Sequence, residues 1–292
     1  MAISTVISEA LKQTDVPNAS IQLVKTRDII PELLSLDRYI DLVIPRGSNE
    51  LVSYVKNNTK IPVLGHADGL CSIYIHEDAD KDMAVKILLD AKLGYPAACN
   101  AVETLLVHES ILNTILPAVA QALLEKGVFL RCDSQSKTAL SSHLNQATAT
   151  TLQSATNQDF HTEFLDLILA IKTILAGPTA EATIDAAVSH INAHSSKHTD
   201  AIITQSKDLA RRFQNGVDSA CVFWNTSTRM ADGMRFGFGT EVGISTNKIH
   251  SRGPVGLEGL MIYKYFVNGS GQVPSEYDGE GGKRWKHEKM DL

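Results

Sequence analysis

Leu93-Gly94-Tyr95-Pro96-Ala97-Ala98-Cys99-Asn100-Ala101-Val102-Glu103-Thr104 joins a periodic segment, Asp80 to Leu93, to the apolar run Thr104-Leu105-Leu106-Val107. Pro96 favours an extended or turn conformation in the residue before it, so the upstream helix stops nearby. Ahead of that helix stands a second apolar run, Cys71-Ser72-Ile73-Tyr74-Ile75. Strand, helix, turn and strand make the repeating unit of a parallel sheet covered by helices, an α/β fold. Inside the turn, small side chains surround Cys99 and leave its sulfur open to a ligand. If a new turn begins at Cys99, its backbone N–H groups would lower the thiol pKa, as a nucleophile requires. The plainer alternative is a small buried hydrophobe, which is what most free cysteines are.

The same rhythm extends outward from this unit. Upstream, Ile3 to Leu11 has helical spacing, and Ile21-Gln22-Leu23-Val24 reads as a strand. Asp28 to Leu36 reads as a helix capped by Asp28, Asp41-Leu42-Val43-Ile44 as a strand, Ser48 to Lys56 as a helix and Ile61-Pro62-Val63-Leu64 as a strand. Gly47 and Ser48 lie where a strand end meets a helix start, a place that can hold phosphate or another anion. No GxGxxG or GxxxxGK[ST] pattern occurs. Downstream, the periodic segment Ile111 to Lys126 ends at Gly127, a natural C-cap, ahead of the strand Val128-Phe129-Leu130. Residues 133–160, rich in Ser, Thr, Gln, Asn and Ala, read as a surface excursion with one helix. The apolar rhythm resumes at Glu163 to Ala170, followed by a helix at Thr183 to Ile191 and a strand at Ala201-Ile202-Ile203. Ser206 to Asn215 is expected to be a helix, and Ala220 to Trp224 a strand.

The glycine-rich stretch Asn225 to Gly259 carries Arg229, Asp232, Arg235, Glu241, Asn247, Lys248, His250 and Arg252, a composition suited to a site-building loop. Met261 to Val267 alternates and turns at Asn268-Gly269, a hairpin signal. His190, His194 and His198 recur every four residues, but Ser195-Ser196 and Thr199-Asp200 suggest that the helix ends near Ile191, so no metal site is expected there. A net charge of −6 gives no reason to propose nucleic-acid or anionic-membrane partners. No apolar stretch approaches the length of a membrane span, and four widely spaced cysteines suit a reducing cytoplasm.

Several long motifs then occur in order: Asp41-Leu-Val-Ile-Pro-Arg-Gly-Ser48, Pro62-Val-Leu-Gly-His66, Pro96-Ala-Ala-Cys99-Asn100-Ala-Val-Glu-Thr104 and Thr162-Glu163-Phe-Leu-Asp166. Ile191 to Asp200, Trp224-Asn-Thr-Ser-Thr-Arg229, Asp232 to Gly237, Glu241 to Thr246 and Lys248 to Leu257 complete the series. Together they resemble the gamma-glutamyl phosphate reductase (glutamate-5-semialdehyde dehydrogenase) family of the aldehyde dehydrogenase superfamily. The resemblance implies an aldehyde-dehydrogenase-like α/β fold. Residues 1–93 would be an incomplete doubly wound cofactor domain, 94–258 an α/β catalytic domain, and 259–292 a β-hairpin oligomerisation arm and tail. It implies NADPH-dependent reduction of L-glutamyl 5-phosphate to glutamate 5-semialdehyde, with Cys99 attacking the acyl phosphate to give a thioester and nearby backbone N–H groups holding the oxyanion. It further implies that Gly47 and Ser48 lie beside the cofactor, that Glu163 holds the nicotinamide ribose, and that Asn225 and Arg229 hold substrate. Each has a plainer alternative: Ser48 as a helix cap, Glu163 as a surface carboxylate, Arg229 as an ion-pair partner. The turn Leu64-Gly65-His66 lacks the carboxylate base of hydrolytic relatives, which fits a reductase that must keep water from its thioester. A homo-oligomer and a glutamate 5-kinase supplying the acyl phosphate are the implied partners. Because the resemblance begins inside the family's cofactor domain, an unpaired sheet edge and half the cofactor contacts are expected. The alternative reading is a truncated, catalytically incompetent fragment acting at most as an assembly partner.

Overall fold

A computed structural model of the chain describes residues 1–65, 68–239, 243–244, 254–277 and 281–285. Continuous apolar runs need cover on both faces, and here they gain it in one parallel sheet. Its strands are β1 (Cys71–Ile75), β2 (Val102–His108), β3 (Phe129–Cys132), β4 (Gln153–Ser154), β5 (Ile168–Ile174), β6 (Thr199–Ile203) and β7 (Cys221–Trp224), in the order β4-β3-β5-β2-β1-β6-β7. Every pairing is parallel, and β1 and β2 are buried along their whole length.

Ahead of the sheet lie the helices α1 (Ala2–Leu11), α2 (Ile30–Leu33) and α3 (Asn49–Asn57). Helices α4 (Lys81–Leu93), α5 (Leu116–Glu125) and α6 (Ser134–His143) cover one face. There Leu88, Leu116 and Leu140 pack on Ile73, Leu105 and Leu130. After α7 (Gln146–Ala149), α8 (Ala180–His194) and α9 (Lys207–Gly216) cover the other face, packing Ile184, Ile191 and Phe213 on Tyr74, Leu106 and Ile202. Alternate strand residues thus enter different cores, as the pleat requires. Gly127 takes φ +79° after α5, the left-handed conformation that closes a helix. β1 belongs to the same sheet as β2–β7, and α4 packs on it.

Several local expectations differ from the structure. Ile21 to Val24 forms no strand, and Asp41–Ile44 and Ile61–Leu64 meet only through a single parallel bridge, Val43 to Val63. Two short runs without a third neighbour among the described residues do not sustain a ladder. The helix expected from Asp28 is split into a 3-10 turn, Arg27–Ile29, and α2, and Asp28 does not cap it. Residues 163–167 are irregular and β5 begins only at Ile168; Leu165, at φ +55°, interrupts the run. α8 continues through His194, so His190 and His194 stack, with ring centroids 4.0 Å apart, while His198 lies beyond the helix.

Met261 to Val267 forms no hairpin; its side chains are exposed, Ile262 at 94%. A ribbon with no surface to cover is marginal in water. Gly243–Ile244 and Pro254–Val255 form a small antiparallel pair, β8 and β9. His66, Glu241, Asn247, Lys248, His250 and Arg252 lie outside the described residues. No described helix is long and apolar enough to cross a membrane.

Candidate active site

Cys99 sits in the turn between α4 and β2. Asp80 caps α4, its carboxylate accepting the Met83 N–H at 2.7 Å, and the helix closes where Gly94 N–H reaches Asp90 O. Ala98 N–H then donates to Tyr95 O, and Ala101 N–H to Ala98 O, delivering the chain to Val102. No helix starts at Cys99, so the turn provides no helix N-terminus of its own to lower the thiol pKa; β2 begins three residues later. Cys99 is half-buried, whereas Cys71, Cys132 and Cys221 are buried. Burial, followed by the charge of Asp200, pushes the Cys71 thiol well above its ordinary value, and burial lifts Cys132 to about 12. Of the four cysteines, Cys99 alone is open to a reagent.

Three strips of chain close on this turn. The first leads into β1: a Cβ added at Gly69 would stand 2.0 Å from the Cys99 carbonyl oxygen, so only glycine allows the two backbones to meet. The Cys71 thiol donates to the same carbonyl at 3.3 Å. The second strip brings Glu163, whose Oε1 accepts the Gly69 N–H at 2.8 Å. Burial raises the Glu163 carboxyl, and the Gly69 N–H partly offsets this. The third strip follows β7. Buried Asn100 donates through Nδ2 to Ala231 O at 2.8 Å and accepts from Arg229 Nη1 at its Oδ1. Arg235 steadies that strip, its Nη1 donating to Arg229 O at 2.6 Å. Cys99, Glu163 and Arg229 are therefore brought together, the last two each through a neighbour of the cysteine turn.

Below the turn lies a buried ion pair. Lys92 Nζ meets Glu103 Oε2 at 2.7 Å and also donates to Val102 O at 3.0 Å, while Glu103 Oε1 accepts the Leu165 N–H at 3.3 Å. Burial lowers the lysine and raises the glutamic acid, each opposed by the other's charge. The pair ties the end of α4 to the start of β2 and to the segment carrying Glu163.

The remaining expected residues lie elsewhere. Ser48 caps α3, its Oγ accepting the Leu51 N–H at 3.4 Å, and Gly47 precedes it at φ +154°. Asn225, at φ +53°, clamps the end of β6: its Oδ1 accepts the Thr204 N–H at 3.0 Å and its Nδ2 donates to Thr204 O at 2.9 Å. It also lines a cavity of about 470 Å³ with Met83, Asp90, Ser227 and Met230. Sequence reasoning reads Gly69 only as the end of a second glycine-flanked, polar strand end, Leu64 to Gly69, and misses Lys92 and Glu103. Lys92 falls one turn after Leu88 on the buried stripe of α4, and Glu103 interrupts an apolar strand. Two opposite charges on core positions are the signal that could have paired them.

Known proteins resemble this chain in sequence and in fold. The sequence model of the aldehyde dehydrogenase family matches residues 1–163. This chain belongs to the aldehyde dehydrogenase family. It is 53% identical over 292 residues to a probable gamma-glutamyl phosphate reductase of Schizosaccharomyces pombe, covering 100% of this chain and 63% of that one. It is 50% identical over 291 residues to a gamma-glutamyl phosphate reductase of Methanosarcina acetivorans, covering 99% and 63%. The crystal structure of the gamma-glutamyl phosphate reductase of Thermotoga maritima superposes with a TM-score of 0.82 at 39% identity, covering 93% of this chain and 62% of that one. The resemblance read from the motifs is thus upheld, and the chain spans about 63% of the length of the curated relatives it matches. An acetylating aldehyde dehydrogenase of Geobacillus thermoglucosidasius, 17% identical with a TM-score of 0.65, shares the fold.

Proposed function

We propose that this chain carries the catalytic part of an NADPH-dependent reductase that converts L-glutamyl 5-phosphate to L-glutamate 5-semialdehyde. The observation that carries the reading is the half-open Cys99, in a turn held through Gly69 by Glu163 on one side and through Asn100 by Arg229 on the other, while the other three cysteines are buried. The Cys99 thiolate attacks the acyl phosphate carbon, the C–O bond to phosphate breaks, and a thioester and inorganic phosphate result. Arg229 supplies a fixed cation near the substrate's anionic groups, and Asn225, on the neighbouring cavity beside Ser227 and Met230, is the second residue of this reading that holds substrate. NADPH, if held by Glu163, Gly47 and Ser48, would supply the hydride equivalent that the reduction of the Cys99 thioester to aldehyde requires.

The residues present fit that cofactor. Glu163 Oε2 accepts from no group among the described residues, which leaves it for a ribose hydroxyl. Gly47 and Ser48 open α3, a nine-residue helix whose first N–H groups suit a phosphate. In this reading residues 1–93 belong to the cofactor side, 94–258 to the catalytic side, and 259–292 pair with a second copy. A glutamate 5-kinase supplies the acyl phosphate in the cytoplasm.

The test is the reverse reaction: phosphate-dependent NADP reduction with glutamate 5-semialdehyde, for the chain and for Cys99→Ala. NADPH formation that requires phosphate and vanishes in Cys99→Ala is the expected result. No turnover from folded protein would favour the reading of an incompetent fragment.

A further inference from the structure

At the rim of the sheet opposite Cys99, the C-terminal ends of β1 and β2 bring two imidazoles and a carboxylate together. His76 follows the last residue of β1, and His108 ends β2, six residues or about 20 Å along the strand from Val102. One nitrogen of each ring and an oxygen of Glu77 lie within 4.8 Å of one another. Both histidines are buried, at 1% and 3% exposure.

His76 is oriented as a metal ligand would be. Its Nδ1 lies 3.0 Å from Asp78 Oδ1, so Nδ1 carries the proton and Nε2 the lone pair. Asp78 is itself fixed, accepting from Thr204 Oγ1 at 2.7 Å and from Gln205 N–H at 3.1 Å. The lone pair on His76 Nε2 is buried and meets no hydrogen-bond partner. Leaving such a group unsatisfied is costly, and it calls for an occupant. His108 Nε2 stands 4.0 Å from Glu77 Oε2, while Ser110 Oγ is 2.7 Å and Ser110 N 3.1 Å from its Nδ1. With the ring proton on Nδ1, Ser110 Oγ accepts it, Ser110 N–H gives up its bond, and Nε2 is freed for a ligand role. Ligand atoms around a tetrahedral zinc ion at 2.0–2.1 Å sit about 3.4 Å apart. The Glu77 side chain, 49% exposed, can close that gap.

We propose that His76, His108 and Glu77 form a zinc-binding site, with water as fourth ligand, that clips the end of β1 to the end of β2. Two imidazoles and one carboxylate suit zinc over magnesium or calcium. Nothing in this site touches Cys99, so it stands whether or not the reductase reading does.

The experiment is equilibrium dialysis of the full chain against zinc ion alone, on a Cys99→Ala background so that the open thiol holds no metal. One equivalent retained per chain is expected, lost in His76→Ala and His108→Ala. Asp78→Asn should weaken binding about 10–100-fold, as orienting carboxylates do. Glu77→Gln should weaken it about tenfold or more, and because that carboxylate is exposed it decides the matter if a histidine variant fails to fold. Cobalt loaded in place of zinc should give a tetrahedral spectrum without a thiolate charge-transfer band. No retained zinc, or retention unchanged in Glu77→Gln and His76→Ala, would overturn the proposal.

Discussion

Residues 68–239 and residues 1–65 carry similar apolar runs, yet the two regions resolve them differently. In the first, β1 lies between β2 and β6, with a core on each face, so every residue of Cys71–Ile75 is buried. In the second, Val43 and Val63 share one bridge, Ile21 and Leu23 are exposed, and α1 buries no residue. An apolar run becomes a strand only when neighbours take its N–H and C=O groups and helices cover its side chains. The pattern is necessary; the neighbours complete it. Where they do, the interior can also carry polar groups that would be costly elsewhere, as at Lys92 on α4 and Glu103 on β2.

That contrast is tested hardest at the buried pair. Lys92→Ala should destabilise the protein by about 3–5 kcal/mol, because it strands the Glu103 carboxylate without its cation. Urea unfolding measures the loss. The double variant Lys92→Met with Glu103→Leu should recover most of it, since two apolar side chains leave no unpaired charge. A single variant that costs less than 1 kcal/mol would mean that water reaches the pair and that the interior is less closed than described.

A pH series sharpens the comparison at the next level. Asp200 is fully buried on β6; desolvation pushes its carboxyl from an ordinary 3.8 up to about 6, against hydrogen bonds from Ser219, Ser72 and Ser195. The native state therefore holds this proton more tightly than the unfolded chain. Its stabilising contribution is complete below pH 3.8 and is lost as pH rises through 6. The unfolding free energy of wild type minus that of Asp200→Asn should thus fall by up to about 1.4 kcal/mol per pH unit across that window and level off above it. A flat difference would place the carboxylate in contact with solvent.

Much of the fold is legible in the sequence because continuous apolar runs and capping residues are local signals. Cys71–Ile75, the α4 helix and the β6 run are all expected and found. The site is only half legible. Cys99 stands out by its small neighbours, but Gly69 and Glu163, 94 positions apart, meet through a bond that no spacing encodes. The histidines at 190, 194 and 198 advertise a period, whereas His76 and His108, which do converge, share only strand register. Met261 to Val267 alternates as a strand should and forms none, since pairing depends on a surface that the pattern cannot supply.

Gly69→Ala probes the cysteine turn with a smaller effect. The added methyl group has to displace backbone at Cys99, an overpacking that typically costs about 1–3 kcal/mol. Its sharper readout is chemical: alkylation of Cys99 by iodoacetamide at neutral pH, followed by peptide mapping, should change in rate while buried Cys132 and Cys221 remain slow. An unchanged rate would show that the Gly69 contact does not set the cysteine's geometry.

The smallest effect is expected in α1. Ile3 and Val6 are 78% and 64% exposed and touch no core, so Val6→Ser removes no buried area. Surface substitutions of this kind stay within about ±0.5 kcal/mol, while serine's weaker helix propensity leaves only a local trace. Thermal unfolding of Val6→Ser beside Lys92→Ala, at several protein concentrations, makes the two regions directly comparable. A loss above 1 kcal/mol in Val6→Ser that grows with concentration would mean a second copy covers α1 in solution. The N-terminal region would then gain from association the cover that β1 gains from its own chain.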